Sequence, residues 1–208
     1  MTRKLLLGAG TVTLAAAWLG PLPGLAPHHF SAHMTMHMAV VAVAAPLIAF
    51  GLAGGDYDPT HRFPALFSPI PASFLELAVV WAWHAPAMHQ FARGSIGGLI
   101  AEQAMFLVSG LLVWLAAFGS EMSRSGIRAG AGVVALLLTS MHMTLLGALL
   151  ALAPRPLYGH SGPSALDEQH LGGAIMLGIG GVAYLAGGLW LSMRLLQLRQ
   201  TARGGEAA

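Results

Sequence analysis

Residues 31–54 read SAHMTMHMAVVAVAAPLIAFGLAG, twenty-four residues without a single Asp, Glu, Lys or Arg. About 20 mainly apolar residues carry a helix across the hydrocarbon core of a bilayer, so this stretch predicts a membrane span with His33 and His37 in its first turns. The stretches 70–91, 97–119, 129–153 and 170–195 meet the same length requirement. Turn residues separate them: Gly54-Gly55-Asp56 with Pro59, Pro64, Pro69 and Pro71, then Arg93-Gly94-Ser95, then Ser120 to Arg128, then Pro154 to Asp167. The whole chain fits that reading. Of its 208 residues 56% are hydrophobic and 9% charged, against about 25% charged in a soluble domain, and the mean hydropathy is +0.69. The expected fold is an all-α, polytopic transmembrane helical bundle.

Residues 1–26 read in two ways. Arg3-Lys4, a short apolar run and Gly24-Leu25-Ala26 suit a cleaved signal peptide; a retained first helix ended by Pro21 and Pro23 fits equally. The bundle therefore has about six helices, or five if 1–26 is removed. Residues 27–196 form the histidine-containing bundle and 197–208 a polar, frayed cytoplasmic tail. Lys and Arg collect on the cytoplasmic side of membrane proteins. With the N-terminus inside, that side receives Arg3, Lys4, Arg62, Arg124, Arg128, Arg194, Arg199 and Arg203, and the other only Arg93 and Arg155. The expected location is a bacterial-type inner (cytoplasmic) membrane with both termini cytoplasmic. A net charge of +2, scattered along the chain, excludes a nucleic-acid partner. The absence of cysteine excludes disulfides, thiolate metal sites and thiol catalysis.

On this topology nine of the ten histidines fall at the non-cytoplasmic end, only His61 lying inside. His33 and His37 are four apart and share one helix face. His84 and His37 lie on the order of 10 Å below the outer surface, and His142 roughly 18 Å below Pro154. Three helices thus present His33, His37, His84 and His142 to one volume, and ionisable groups at that depth mark function. His84 and His89 are five apart and about 140° out of phase on a straight helix. Pro86 stands between them as a possible kink, and His84 is the deeper candidate. His28, His29, His89, His160 and His170 form an expected wet rim, with His89 and His170 auxiliary to the site.

Methionines interleave with these histidines: Met34, Met36 and Met38, then Met88, then Met141 and Met143. Thioether suits Cu(I), and imidazole suits copper, zinc and iron. Met34, Met38 and Met141 are the candidate auxiliary ligands, and methionine is also ordinary apolar filler. Glu102, beside Gln103, can orient a ligating imidazole. Glu76, about 9 Å from the inner start of its helix, reads either as such a group or as an inter-helix hydrogen bond. Asp167 and Glu168 suit the start of their own helix, and the glycines from Gly172 to Gly188 read as packing surface.

The succession His33-Met34-Thr35-Met36-His37-Met38, Trp81-Ala82-Trp83-His84-Ala85-Pro86, Glu102-Gln103-Ala104-Met105-Phe106, Ala153-Pro154-Arg155-Pro156-Leu157-Tyr158 and Glu168-Gln169-His170-Leu171-Gly172-Gly173 resembles the CtaG-type cytochrome c oxidase assembly factors over roughly residues 28–192. The chain is a short, divergent case, with Gln103 where members often carry His. The resemblance implies His33, His37 and His84 as functional histidines, with copper delivered to a haem–copper oxidase.

The leading expectation is a membrane copper-binding assembly protein rather than an enzyme. It holds Cu(I) near the non-cytoplasmic face and exchanges it with a haem–copper oxidase subunit or a periplasmic copper carrier. A zinc-dependent intramembrane hydrolase, a copper transporter using the same histidines and a bis-histidine haem carrier are the competing readings.

Overall fold

A computed structural model describes residues 2–119, 126–158 and 164–206. Among these residues every regular element is helical. Helix α1 is Thr2–Leu19, followed by one turn at Leu22–Leu25. Helix α2 is Phe30–Leu52 and contains a π-helical stretch, Ala39–Ala44. Then come α3 (Pro69–His84), α4 (Pro86–Gly94), α5 (Ile96–Phe118) and α6 (Gly126–Ala151). Helix α7 begins as Ala165–Ile175, passes through π-helical Met176–Gly180 and continues as Gly181–Glu206. Helices α1, α2, α5, α6 and α7 are long and apolar enough to cross a membrane. Together with the shorter α3 they make a multi-pass membrane protein, as the apolar stretches predict. Arg124 and His160 lie outside the described residues.

Two boundaries differ from expectation. The single helix expected over 70–91 is broken at Ala85, whose backbone is extended at φ −65° and ψ 137°. Pro86 causes the break: its ring disfavours a helical residue before it, while its fixed φ suits the first position of α4. Helix α3 therefore stops at sixteen residues, a rise of about 24 Å. At the other end, α7 runs on to Glu206. No proline stands between Gln197 and Glu206 to stop it, so the polar tail continues the helix instead of fraying.

Helix α2 is the central element, packed against α1, α5 and α7, while α3 lies against α5 and α6. Helix α1 is held at both ends of its contact with α2. Gly10 meets α2 closely, since a Cβ there would come 3.1 Å from the Ala44 carbonyl oxygen. Arg3 donates to the carbonyls of Ala53 (2.5 Å) and Gly54 (2.8 Å) where α2 ends. Gly54 makes that turn with φ +65°, a conformation open to glycine. Helices α6 and α7 approach through Gly147, where a Cβ would lie 2.8 Å from the Leu177 nitrogen. Small residues are what let helices come this close in lipid. Leu145, Leu149, Val182 and Leu189 point outward, exposed, as a lipid-facing surface requires.

Candidate metal centre

Helix α2 begins after His29, which is extended. Its open amides are met from α7: the Glu168 carboxylate accepts from the Ser31 N–H (3.1 Å) and the Ser31 hydroxyl (2.6 Å). Glu168 therefore caps α2, whereas the sequence suggests that it serves its own helix. The reason is reach, because α2 and α7 pack side by side at this end. From this fixed start the 3.6-residue period places His33 and His37 on one interior face, both fully buried.

His84 is the last residue of α3 and is also buried. Its Nδ1 lies 2.6 Å from the Val80 carbonyl oxygen. A carbonyl only accepts, so Nδ1 carries the proton and Nε2 presents a lone pair to the bundle. Tyr158, from the loop between α6 and α7, donates its hydroxyl to the His84 carbonyl at 2.9 Å. Burial raises the Tyr158 phenol above its usual range, which keeps it a donor.

The rings form a string. Centroids are 5.0 Å apart for His89 and His33, 6.1 Å for His33 and His84, and 5.3 Å for His84 and His37. His142 on α6 is buried within electrostatic reach of His37. Phe106 of α5 closes one side, 3.9 Å from His37. Phe30 and Tyr158, stacked at 4.8 Å, close the end, with Tyr158 4.1 Å from His89.

At the end of the string nearest the chain turns sits a carboxylate. Glu102 Oε2 lies 3.6 Å from His33 Nδ1 and accepts from Gln103 Nε2 at 3.3 Å. One coordinating atom each from His33, His89 and Glu102 fall within 4.8 Å of one another. Arg93, at the end of α4, reaches the same place. It hydrogen-bonds to His33 Nδ1, donates to the Ala26 carbonyl at 2.5 Å and lies 4.0 Å from Glu102 Oε2.

These residues fit a metal on an observation that packing leaves unexplained. Both ring nitrogens of His37 and His142, Nε2 of His33 and His84, and Oε1 of Glu102 are buried without a hydrogen-bond partner among the described residues. Buried polar atoms in folded proteins are nearly always partnered, and an imidazole nitrogen left without a partner is an atom that a metal would engage; among the described residues, the atoms that converge to ligating distance are those of His33, His89 and Glu102. Neutral nitrogen donors in an apolar shell suit copper and zinc alike.

His33, His37 and His84 thus lie side by side, and His142 is buried on α6. His89 is a correction: expected at a wet rim, it is 1% exposed and belongs to the string. The break at Ala85 re-aims it, removing the 140° that a straight helix imposes. Met141 is also corrected, being 68% exposed on the outer face of α6 and turned away from the centre. Met34 and Met38 are buried but face α7: a Cβ on Gly172 would lie 2.9 Å from Met34 Cγ, and one on Gly180 3.0 Å from Met38 Sδ. A residue adjacent to a histidine points about 100° away on a helix, so sequence neighbours are not neighbours in the site. His170 is not in the string, its Nε2 lying 2.9 Å from the Ala153 carbonyl. His28 and His29 are exposed. Glu76 makes the inter-helix bond, accepting from Tyr184 at 2.5 Å.

Sequence reasoning missed Arg93 and Tyr158. The signal for Arg93 was its position, a basic residue at the end otherwise depleted of them. For Tyr158 it was a place inside one of the recognised motifs.

No curated protein and no solved structure matches the chain. A family described as cytochrome c oxidase caa3 assembly factor matches over residues 1–197, which includes every residue of the histidine string, Glu102, Arg93 and Tyr158. With nearly its whole length matched, the chain belongs to the CtaG family of cytochrome c oxidase caa3 assembly factors.

Proposed function

We propose that this assembly factor binds copper as Cu(I) among His37, His84 and His142, with His33 and His89 continuing the ligand path toward the non-cytoplasmic face. It then passes the ion to a haem–copper oxidase subunit or receives it from a periplasmic carrier. The single observation that carries this reading is the set of orphaned nitrogens on His37, His84 and His142. Three imidazoles buried among apolar side chains bring no negative charge to the site, so a monovalent ion costs less to bury there than a divalent one. A string of imidazoles whose ring centroids stand 5.0 to 6.1 Å apart also gives ligand exchange a route, each step releasing one nitrogen and engaging the next. The bilayer supplies the medium. Protein purified under reducing conditions is expected to carry roughly stoichiometric copper, with X-ray absorption reporting nitrogen-dominated ligation. His37→Ala and His84→Ala should each strip most of it. Unchanged copper in both variants removes the reading.

One observation favours a zinc-dependent hydrolase as the second reading: His33, His89 and Glu102 converge as a set of two imidazoles and one carboxylate. The Arg93 guanidinium beside them weighs against it, as does the lack, among the described residues of this cluster, of a second acid to act as base. Zinc-dependent lipid or peptide hydrolysis that stops on His33→Ala would establish that reading in place of copper transfer.

A further inference from the structure

Arg93 lies in a place that a metal-binding centre ordinarily leaves to the metal. It is largely buried, and its guanidinium faces two ways. On one side is a cavity of about 220 Å³ lined by Pro23, Ala26, Pro27, Arg93, Ser95 and Leu99. On the other are His33 and Glu102. We propose that Arg93 is a built-in counter-cation that occupies the outer station of the copper path, and that copper reaches His33 and Glu102 only by displacing it toward the cavity. The inference rests on the copper reading above.

Two physical arguments carry it. The first is charge. The guanidinium stands 4.0 Å from Glu102 Oε2 and is the cation that balances a carboxylate buried among apolar side chains. A copper ion on Glu102 would sit beside that positive charge, so the two cations exclude each other. The second is the lone pair. Arginine has donors only, so the contact with His33 makes Nδ1 the acceptor. A neutral imidazole then carries its proton on Nε2, and neither nitrogen offers a free lone pair to a metal. His84 is the contrast, because its Nδ1 donates to a carbonyl and its Nε2 is ready to ligate. Withdrawal of Arg93 frees His33 Nδ1 and the Glu102 oxygen in one movement. It also releases the Ala26 carbonyl, which Arg93 holds at 2.5 Å at the cavity wall.

The competing account is that Arg93 only anchors the turn at Ala26. The two accounts disagree in sign. Metal-free protein in detergent is titrated with Cu(I) against a chromophoric chelator for the unsubstituted chain, Arg93→Gln and Arg93→Lys. Removing a competing cation should tighten the binding of copper at the outer station, read as the second copper equivalent, roughly tenfold in Arg93→Gln, with Arg93→Lys between the two. Affinity that is unchanged or weaker in Arg93→Gln overturns the role of Arg93 and leaves the copper centre standing. Copper binding absent from all three proteins overturns the centre, and this inference with it. A measurement on the unsubstituted protein guards against a variant that fails to fold. The ¹⁵N shifts of His33 in the metal-free state should report an unprotonated Nδ1 and a protonated Nε2. A protonated Nδ1 there overturns the proposal.

Discussion

Among the five imidazoles, His84 is the one whose Nε2 lone pair is turned to the bundle by a backbone carbonyl. Its Nδ1–H is taken by Val80 and its backbone carbonyl by Tyr158, so ring and helix end are fixed together. Groups that orient a ligand without touching the metal are typically worth about 10–100-fold in affinity. Tyr158→Phe is accordingly expected to lower copper affinity within that range. It should also cost about 1–3 kcal/mol of stability from the abandoned carbonyl, both readable from a chelator titration and a thermal melt. Met141→Leu is the control at this scale. Its side chain faces outward, so copper content should not change and stability should stay within about 0.5 kcal/mol. The nearness of His33, His37 and His84 was legible from helical period and depth, because both quantities survive tertiary packing. The methionines were misleading for a matching reason: adjacency along the chain is the one relation a helix turns into divergence.

At the scale of an element, the decisive feature is the break between α3 and α4. Periodicity assumes a straight axis, and past Pro86 that assumption fails, which is why the placement of His89 and Arg93 could not be read from spacing. The break turns α4 back along α5, and Ser95 starts α5 by accepting the Gly98 N–H at 3.0 Å. His89 and Arg93 are thereby delivered to the Glu102 carboxylate on α5's interior face. Pro86→Ala permits Ala85 to become helical and rotates His89 out of the string. It is expected to weaken copper binding about as much as His89→Ala, each roughly tenfold or more. The double variant should be no weaker than either single one, since both remove the same ligand. Additive losses would mean that Pro86 acts on something other than His89. The Glu168-Gln169-His170 motif belongs at this scale too. Glu168 holds the start of α2, Gln169 the loop at Leu157 and the Leu150 carbonyl, and His170 the Ala153 carbonyl. A motif that reads in the sequence as the start of its own helix, with an auxiliary histidine, is here a clasp around the end of the bundle.

Across the whole molecule, the histidine string depends on helices that do not all touch one another along their lengths. What crosses the interior below it is one polar knot. Tyr184 of α7 donates to Glu76 of α3 at 2.5 Å and lies 3.3 Å from the Val41 carbonyl of α2. Trp114 of α5 donates to that same carbonyl at 3.1 Å. Val41 lies in the π-helical stretch Ala39–Ala44, where the wider turn leaves carbonyls available to partners outside the helix. Four helices therefore meet at two acceptors. The knot ties the sides of the bundle in register, and the spacing of His37, His84 and His142 follows from that register. It also offers a test between a fixed copper centre and a transport path through the bundle. Glu76→Gln keeps an oxygen to accept from Tyr184, so stability should move by no more than about 0.5 kcal/mol. Tyr184→Phe leaves a buried carboxyl short of a donor and should cost about 1–3 kcal/mol. If the knot is structural, copper content and delivery follow stability: nearly unchanged in Glu76→Gln, reduced in Tyr184→Phe only as far as the fold loosens. Copper or proton movement lost in a Glu76→Gln protein whose melting temperature is unchanged would instead make that carboxyl part of a route.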